Sequence, residues 1–149
     1  MNIYIFLYLI FVVAPAGTAI HELGHLIGAK SVGADKVSLT IGAGNIVYRT
    51  IWKQMHIVIR LFFFVGGMAL SERKVPYQPG ERIKIAIFGP LSSLLAACIC
   101  ALLYIVYPGS YLLLMLLFNL WIAFINIIPF RFKDKQSDGY TIYEAIRQK

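Results

Sequence analysis

Charged residues are scarce in this chain of 149 residues. Asp, Glu, Lys and Arg make up 14% of it, whereas 59% of the residues are hydrophobic, and soluble domains carry roughly a quarter of charged residues. Two long stretches, residues 2–20 and 85–130, contain no charge at all. This scarcity argues against a water-soluble globular domain and predicts a protein of the lipid bilayer.

Cysteine is equally scarce, with two residues in the whole chain, Cys98 and Cys100. They lie two positions apart within an apolar, helix-like stretch, where they cannot comfortably bridge each other. The sequence therefore predicts no disulfide framework. We assign these cysteines no chemistry and expect them to act as small apolar fillers.

Three apolar stretches are long enough to cross a bilayer as helices, since about twenty residues span a hydrocarbon core of roughly 30 Å. They cover about residues 3–29, 85–107 and 111–130. No basic segment precedes the first stretch, so we expect a retained span rather than a cleaved signal peptide. We predict a single domain over residues 1–149, built as a membrane α-helical bundle of three transmembrane helices.

Basic residues are distributed unevenly around these stretches. Nine of the fourteen Lys and Arg lie between Lys30 and Lys84, the other five lie between Arg131 and Lys149, and none precedes the first stretch. By the positive-inside rule, the N-terminus is outside and the C-terminus is cytoplasmic in a multi-pass protein, which we expect in the cell membrane. The cations form no recognisable nucleic-acid module, so we expect contacts with anionic lipid and no nucleic-acid partner.

The segment between the first two spans has a different pattern. Residues 37–65 alternate between apolar and polar side chains and are rich in β-branched and aromatic residues. We predict a small membrane-associated antiparallel β-sheet on the cytoplasmic side, with turns at residues 42–45 and 53–54. The sheet either anchors the chain to the membrane face or offers a strand edge that holds a substrate in extended form.

The first apolar stretch ends in HELGH, residues 21–25. On a helix, His21 and His25 lie one turn apart on the same face, so their imidazoles can converge on one ion. Catalytic zinc sites combine such a pair with a third protein ligand and a water, and the neighbouring Glu22 fits the general base. Ionisable groups within spans are costly, which favours a shared metal over a polar helix end with unrelated histidines.

The third ligand is sought among few acids. Besides Glu22, the chain contains Asp35, Glu72, Glu81, Asp134, Asp138 and Glu144. His25 lies near the cytoplasmic end of the first span, so acids just beyond the cytoplasmic end of the third span are favoured, namely Asp134 and Asp138. Asp138 also begins DGYTIYEAI, a predicted short helix, and its alternative role is that of an N-cap.

Three motifs follow one another along the chain: HELGH, FGPLSSLL and NIIPFRFKDKQSDG. In order and spacing they resemble the HExxH, GPxxN and NxxP-to-DG motifs of the site-2 protease family of intramembrane zinc metalloproteases, over nearly the whole chain. Ser93 stands where that family has asparagine in GPxxN. The resemblance implies that His21, His25 and Asp138 bind Zn²⁺.

The same resemblance assigns further roles. It implies that Glu22 is the general base and that Asn126 supports the site or holds the substrate. Gly139 follows Asp138, and its backbone freedom favours Asp138 over Asp134 as the ligand without settling the choice.

The function expected from these observations is that of an intramembrane zinc metalloendopeptidase acting on transmembrane or membrane-embedded protein segments. Two alternatives stay open. One is a membrane-anchored zinc peptidase that acts on cytoplasmic peptides and uses Glu72 or Glu81 as third ligand. The other is a proteolytically inactive, zinc-containing membrane binding protein. The sequence contains no signal for an oligomeric state.

Overall fold

The computed structural model describes residues 2–133 and 135–148. Its α-helices are α1 (Ile3–Tyr8), α2 (Ala14–Ser31), α3 (Pro79–Val106), α4 (Ser110–Ile127) and α5 (Asp138–Arg147). Its strands are β1 (Lys36–Trp52), β2 (Met55–Glu72), β3 (Arg131–Phe132) and β4 (Lys135–Gln136). A π-helical turn, Leu9–Val13, joins α1 to α2 directly before Pro15, which has no N–H to donate to the preceding turn.

In the part of the chain that the structure describes, three helical stretches are long and apolar enough to cross a membrane: Ile3–Ser31, Pro79–Val106 and Ser110–Ile127. They lie where the apolar runs of the sequence predict helices, but their ends differ. The second begins at Pro79 rather than Ile85, because Gln78 and Glu81 form a capping box around its first turn. Such a box satisfies two backbone donors that the helix start would otherwise leave unpaired. The third ends at Ile127 rather than at residue 130.

Glycines bring α2 and α3 close together. A Cβ built on Gly24 would overlap the Phe88 carbonyl and Ser92, and one built on Gly28 would lie 3.1 Å from the Cα of Ile85. Small residues of this kind let two helix backbones approach each other, which is the common packing mode of helices in membranes. As a result, α3 lies directly beside the HELGH segment.

The long strands β1 and β2 pair antiparallel and form the sheet between the first two apolar helices. Residues 37–41 of β1 lie between two parts of β2, since they pair with residues 55–59 and also with residues 67–71. One face of the sheet packs on the end of α2, in a core that contains Leu26, Ala29, Val37, Leu39 and Ile41. The sheet is thereby fixed next to the histidines of α2.

The sheet is longer than the sequence pattern predicts, because β2 continues to Glu72 instead of ending near residue 65. The predicted turn at residues 53–54 is confirmed, with Lys53 at φ 54°. Residues 42–45 lie within the bounds of β1, but the predicted reversal of the chain there is confirmed. Residues 37–41 and 48–52 pair with the two sides of residues 55–59 and run in opposite directions. Gly42 and Gly44 have φ of 90° and 82°, so the strand bends there at positions where only glycine is unstrained.

Candidate metal centre

Three side chains from distant parts of the chain meet at one point. His21, His25 and Asp138 each offer one ligand atom, and these atoms all lie within 4.8 Å of one another. The histidines are on α2, and Asp138 is the first residue of α5. Two imidazoles and a carboxylate are a donor set that zinc accepts, so the described residues contain a group that can hold a metal ion.

The distances within this group suit a single small ion. His21 Nε2 lies 3.1 Å from Asp138 Oδ2 and 3.3 Å from His25 Nε2, and His25 Nε2 lies 3.2 Å from Asp138 Oδ1. Ligand atoms bonded tetrahedrally to zinc at about 2.0–2.2 Å lie roughly 3.3–3.6 Å apart. The cluster is therefore close to the size that a tetrahedral site requires.

The outer nitrogen of each histidine is held by α3. His25 Nδ1 lies 2.9 Å from the backbone carbonyl oxygen of Ile85, and His21 Nδ1 lies 3.0 Å from Ser93 Oγ. Because a carbonyl oxygen only accepts, the hydrogen of a neutral His25 is on Nδ1, and Nε2 turns a lone pair towards the carboxylate. Two acceptors that face each other repel, and a metal cation between them would attract both.

Asp138 is held in place by its chain neighbours. Ser137 Oγ accepts hydrogen bonds from the N–H of Phe130 and of Tyr140, at 3.0 and 3.1 Å, and donates to the Ile128 carbonyl at 2.7 Å. Ser137 is the N-cap of α5, so the alternative in which Asp138 caps this helix is wrong. A Cβ on Gly139 would overlap the Ile127 carbonyl, so glycine allows α5 to start directly against the end of α4.

The Asp138 carboxyl lies beyond the three long apolar helices, at the start of α5. Burial raises the pKa of this carboxyl, but the neighbouring imidazoles of His21 and His25 lower it by more. The net pKa lies below its usual range, so the group is a carboxylate near neutral pH. An ionised carboxylate is the form that binds a metal.

Glu72 and Glu81, the third ligands of the alternative function, do not belong to this cluster. The Glu81 carboxylate accepts two hydrogen bonds from the Arg73 guanidinium, at 2.6 and 2.8 Å, and Glu72 borders a separate, smaller cavity. Asp134 lies outside the described residues.

A cavity of about 860 Å³ opens beside the cluster. Glu22 and Asn126 line it together with His21, His25 and Asp138, so the structure brings all five residues singled out in the sequence to one place. The amide of Asn126 donates to the Ile122 carbonyl one turn earlier in its own helix, at 3.0 Å. Residues 67–71 of β2 form another wall of the cavity.

Sequence reasoning missed several residues that shape this site. Gly89 gives space to the His25 ring, because a Cβ there would overlap the imidazole. Ser93, read from the sequence only as a departure from an asparagine, is hydrogen-bonded to His21. Both belong to FGPLSSLL, so the motif itself was the available signal. Ser137 gave a signal too, since serine directly before an acidic helix start is typical of an N-cap.

The fold and the site together define a class of protein: over the described residues, it has three long apolar helices and a candidate metal site of two histidines and an aspartate, which lies beside a β-sheet. The chain belongs to peptidase family M50, the site-2 protease family, whose family model matches residues 5–113. Membership implies an intramembrane metalloprotease. The match includes HELGH and FGPLSSLL but ends before Asn126 and Asp138. No curated protein matches the chain.

Proposed function

We propose that this protein is an intramembrane zinc endopeptidase that cleaves membrane-embedded segments of other proteins. The observation that carries the proposal is the convergence of His21, His25 and Asp138 beside a cavity, at the end of a helix apolar enough to span a bilayer. Membership of family M50 supports the same activity. Within such a helix, a pair of histidines and an acid is costly unless the groups share a function.

In this proposal His21, His25 and Asp138 are the protein ligands of zinc. Bound zinc supplies Lewis-acid chemistry, which makes water a nucleophile near neutral pH and polarises a substrate carbonyl. Glu22 follows His21 in the chain and lines the same cavity. Its carboxylate accepts the proton of the attacking water and passes it to the amide nitrogen that leaves.

The substrate is held by the edge of the sheet. Residues 67–71 of β2 pair with β1 on one side, and their other side has no strand partner in the described part of the chain. The same residues line the cavity, and Met68 and Leu70 are about half exposed, at 48% and 55%. An extended segment added here as a further strand would form main-chain hydrogen bonds along this edge.

This edge passes directly beside the proposed base. A Cβ built on Gly67 would lie 3.1 Å from Cγ of Glu22, so strand and carboxylate are in contact distance. A peptide added along residues 67–71 would therefore run past Glu22, which lines the same cavity as the metal cluster. In this proposal Asn126, which lines the same cavity, holds the substrate or supports the site.

The arrangement in the membrane follows from the charges. We propose one domain over residues 1–149, with Ile3–Ser31, Pro79–Val106 and Ser110–Ile127 as the spans. The basic residues between Lys30 and Lys84 place that segment in the cytoplasm, so the N-terminus is outside and the C-terminus is cytoplasmic. Tags at the two termini should accordingly differ in accessibility in intact cells.

The decisive experiment combines metal analysis with cleavage. The purified full chain should contain zinc, and it should cleave a tagged single-span segment, whereas Glu22→Gln should keep the zinc and lose the cleavage. Glu72→Gln is the matched control, because this acid lies outside the metal cluster. Cleavage that survives Glu22→Gln would remove Glu22 as the base.

The same assay separates the two alternatives. A peptide with the same scissile sequence but without apolar flanks tests whether cytoplasmic peptides are the substrates. Zinc bound without cleavage of either substrate would identify an inactive binding protein instead.

A further inference from the structure

Ser93 is fully buried on α3, and its hydroxyl lies against a histidine of the metal cluster. Ser93 Oγ is 3.0 Å from Nδ1 of His21, while Nε2 on the opposite side of the ring is 3.1 Å from Asp138 Oδ2. The imidazole is thus held between a side chain of α3 and the acid of α5. His21 is itself buried, so no water competes freely for this hydroxyl.

The position of the ring hydrogen determines which partner donates in this hydrogen bond. A neutral ring carries one hydrogen, on one of its two nitrogens, and a metal binds the other nitrogen. When Nε2 of His21 binds the metal, the hydrogen of the ring is on Nδ1 and is donated to Ser93 Oγ. Partners of this kind fix the tautomer and the orientation of metal-ligating histidines.

We propose that Ser93 is a positioning residue that holds His21 in its Nδ1–H tautomer, with Nε2 directed at the metal. This inference rests on the proposed function, because it assumes that the cluster binds a metal. The other histidine, His25, is held by the backbone carbonyl of Ile85, which no substitution removes. In the described structure, Ser93 is therefore the side chain whose substitution removes a hydrogen bond from the outer nitrogen of a histidine ligand.

The neighbouring Ser92 provides a matched control. It has the same side chain and lies on the same helix, but it packs against Gly24 and forms no hydrogen bond with a cluster residue in the described structure. Replacing either serine by alanine removes one oxygen and leaves no clash. A difference between the two variants therefore reports the hydrogen bond to His21.

The first test is the zinc affinity of the full chain in detergent, measured by competition with a chelator. Loss of an outer hydrogen-bond partner typically weakens metal binding about 10–100-fold, and we expect that loss for Ser93→Ala and no change for Ser92→Ala. Ser93→Asn supplies an amide oxygen as acceptor and should recover most of the affinity. The melting temperature of the zinc-free protein shows whether Ser93→Ala also affects folding.

The second readout separates positioning from folding. If Ser93 positions His21, Ser93→Ala should lower the zinc affinity while the melting temperature of the zinc-free protein stays unchanged. A merely structural role of Ser93 would lower that melting temperature, and Ser93→Asn would not restore the zinc affinity.

The outcomes separate this inference from the proposed function. A wild-type protein that binds no zinc would overturn both. Zinc bound equally well by wild type and Ser93→Ala, or a loss of affinity in Ser93→Ala that follows only from a lower melting temperature, would overturn the role of Ser93 and leave the peptidase proposal in place.

Discussion

The imidazole of His25 lies directly on Gly89 of α3, in the space that a side chain at that position would fill. A Cβ there would overlap Nε2, Cε1 and Cδ2 of the ring. Nε2 is also the atom that lies 3.2 Å from the Asp138 carboxylate. Gly89 therefore sets how closely the ring approaches α3, and with it the position of one ligand atom of the metal cluster.

Gly89→Ala should weaken zinc binding by about tenfold or more, an effect of the size seen when the surroundings of a metal ligand are disturbed. Alanine favours helix over glycine, so the loss cannot come from a weaker α3. Chelator competition measures the effect. Gly80→Ala is the control, since Gly80 lies in the same helix with nothing within 4 Å of its Cβ position. Equal zinc affinity in both variants would contradict the role of Gly89.

Asp138→Ala should abolish tight zinc binding, because it removes the carboxylate of the metal cluster that His21 and His25 complete. Asp134→Ala should leave zinc binding intact. Metal analysis of both purified variants beside the wild type checks the pair. The reverse result, with zinc lost in Asp134→Ala and kept in Asp138→Ala, would move the third ligand to Asp134.

Much of this site can be predicted from the sequence because several of its features depend only on residues that are close together in the chain. The uncharged runs predict the three long helices, and the spacing of His21 and His25 depends only on the helical repeat. Asp138 could be reached from the sequence only by topology and by resemblance, since it comes 117 positions after His21. The distance of 3.1 Å between their side chains results from the way the helices pack in the folded chain.

The remaining features depend on long-range pairing. The pattern predicts that β2 ends near residue 65, because Gly66 and Gly67 are poor strand formers. The strand continues nevertheless, since residues 67–71 pair with residues 37–41 of β1. The acceptor role of Ser93 was equally hidden, because it requires knowing which helix lies beside His21.

The Arg82–Glu144 ion pair should help to complete the metal site, because it fastens α5, which carries Asp138, to α3. Arg82 donates to Glu144 and to Gln148, both at 2.6 Å. Both partners are about a third exposed, at 28% and 35%, and such pairs contribute about 0.2–1 kcal/mol. Zinc affinity should therefore fall by up to about fivefold in Glu144→Gln at low ionic strength, and less at high salt.

Exchanging the charges of Arg82 and Glu144 tests whether the ion pair itself causes the effect. Arg82→Glu and Glu144→Arg should each weaken zinc binding, because each places like charges face to face. The double variant restores the opposite charges and should recover affinity. A double variant no better than the single ones would show that α5 is held by its other contacts.

Gly67→Ala should impair cleavage while zinc stays bound. A Cβ at Gly67 would lie 2.8 Å from Cγ2 of Thr18 and 3.1 Å from Cγ of Glu22, so either the strand edge or the proposed base must shift. Neither contact involves the metal ligands, which is why the zinc content should not change. A cleavage assay beside metal analysis separates the two effects.

Gly66→Ala is the comparison for that variant. Gly66 has φ of 65° and nothing within 4 Å of its Cβ position, so alanine adds backbone strain of about 1 kcal/mol or more without a clash. We expect a lower melting temperature for this variant with cleavage by the folded protein retained. If Gly67→Ala cleaved as well as Gly66→Ala, the strand edge at Gly67 would not position the substrate against Glu22, and the extended segment would have to bind along another wall of the cavity.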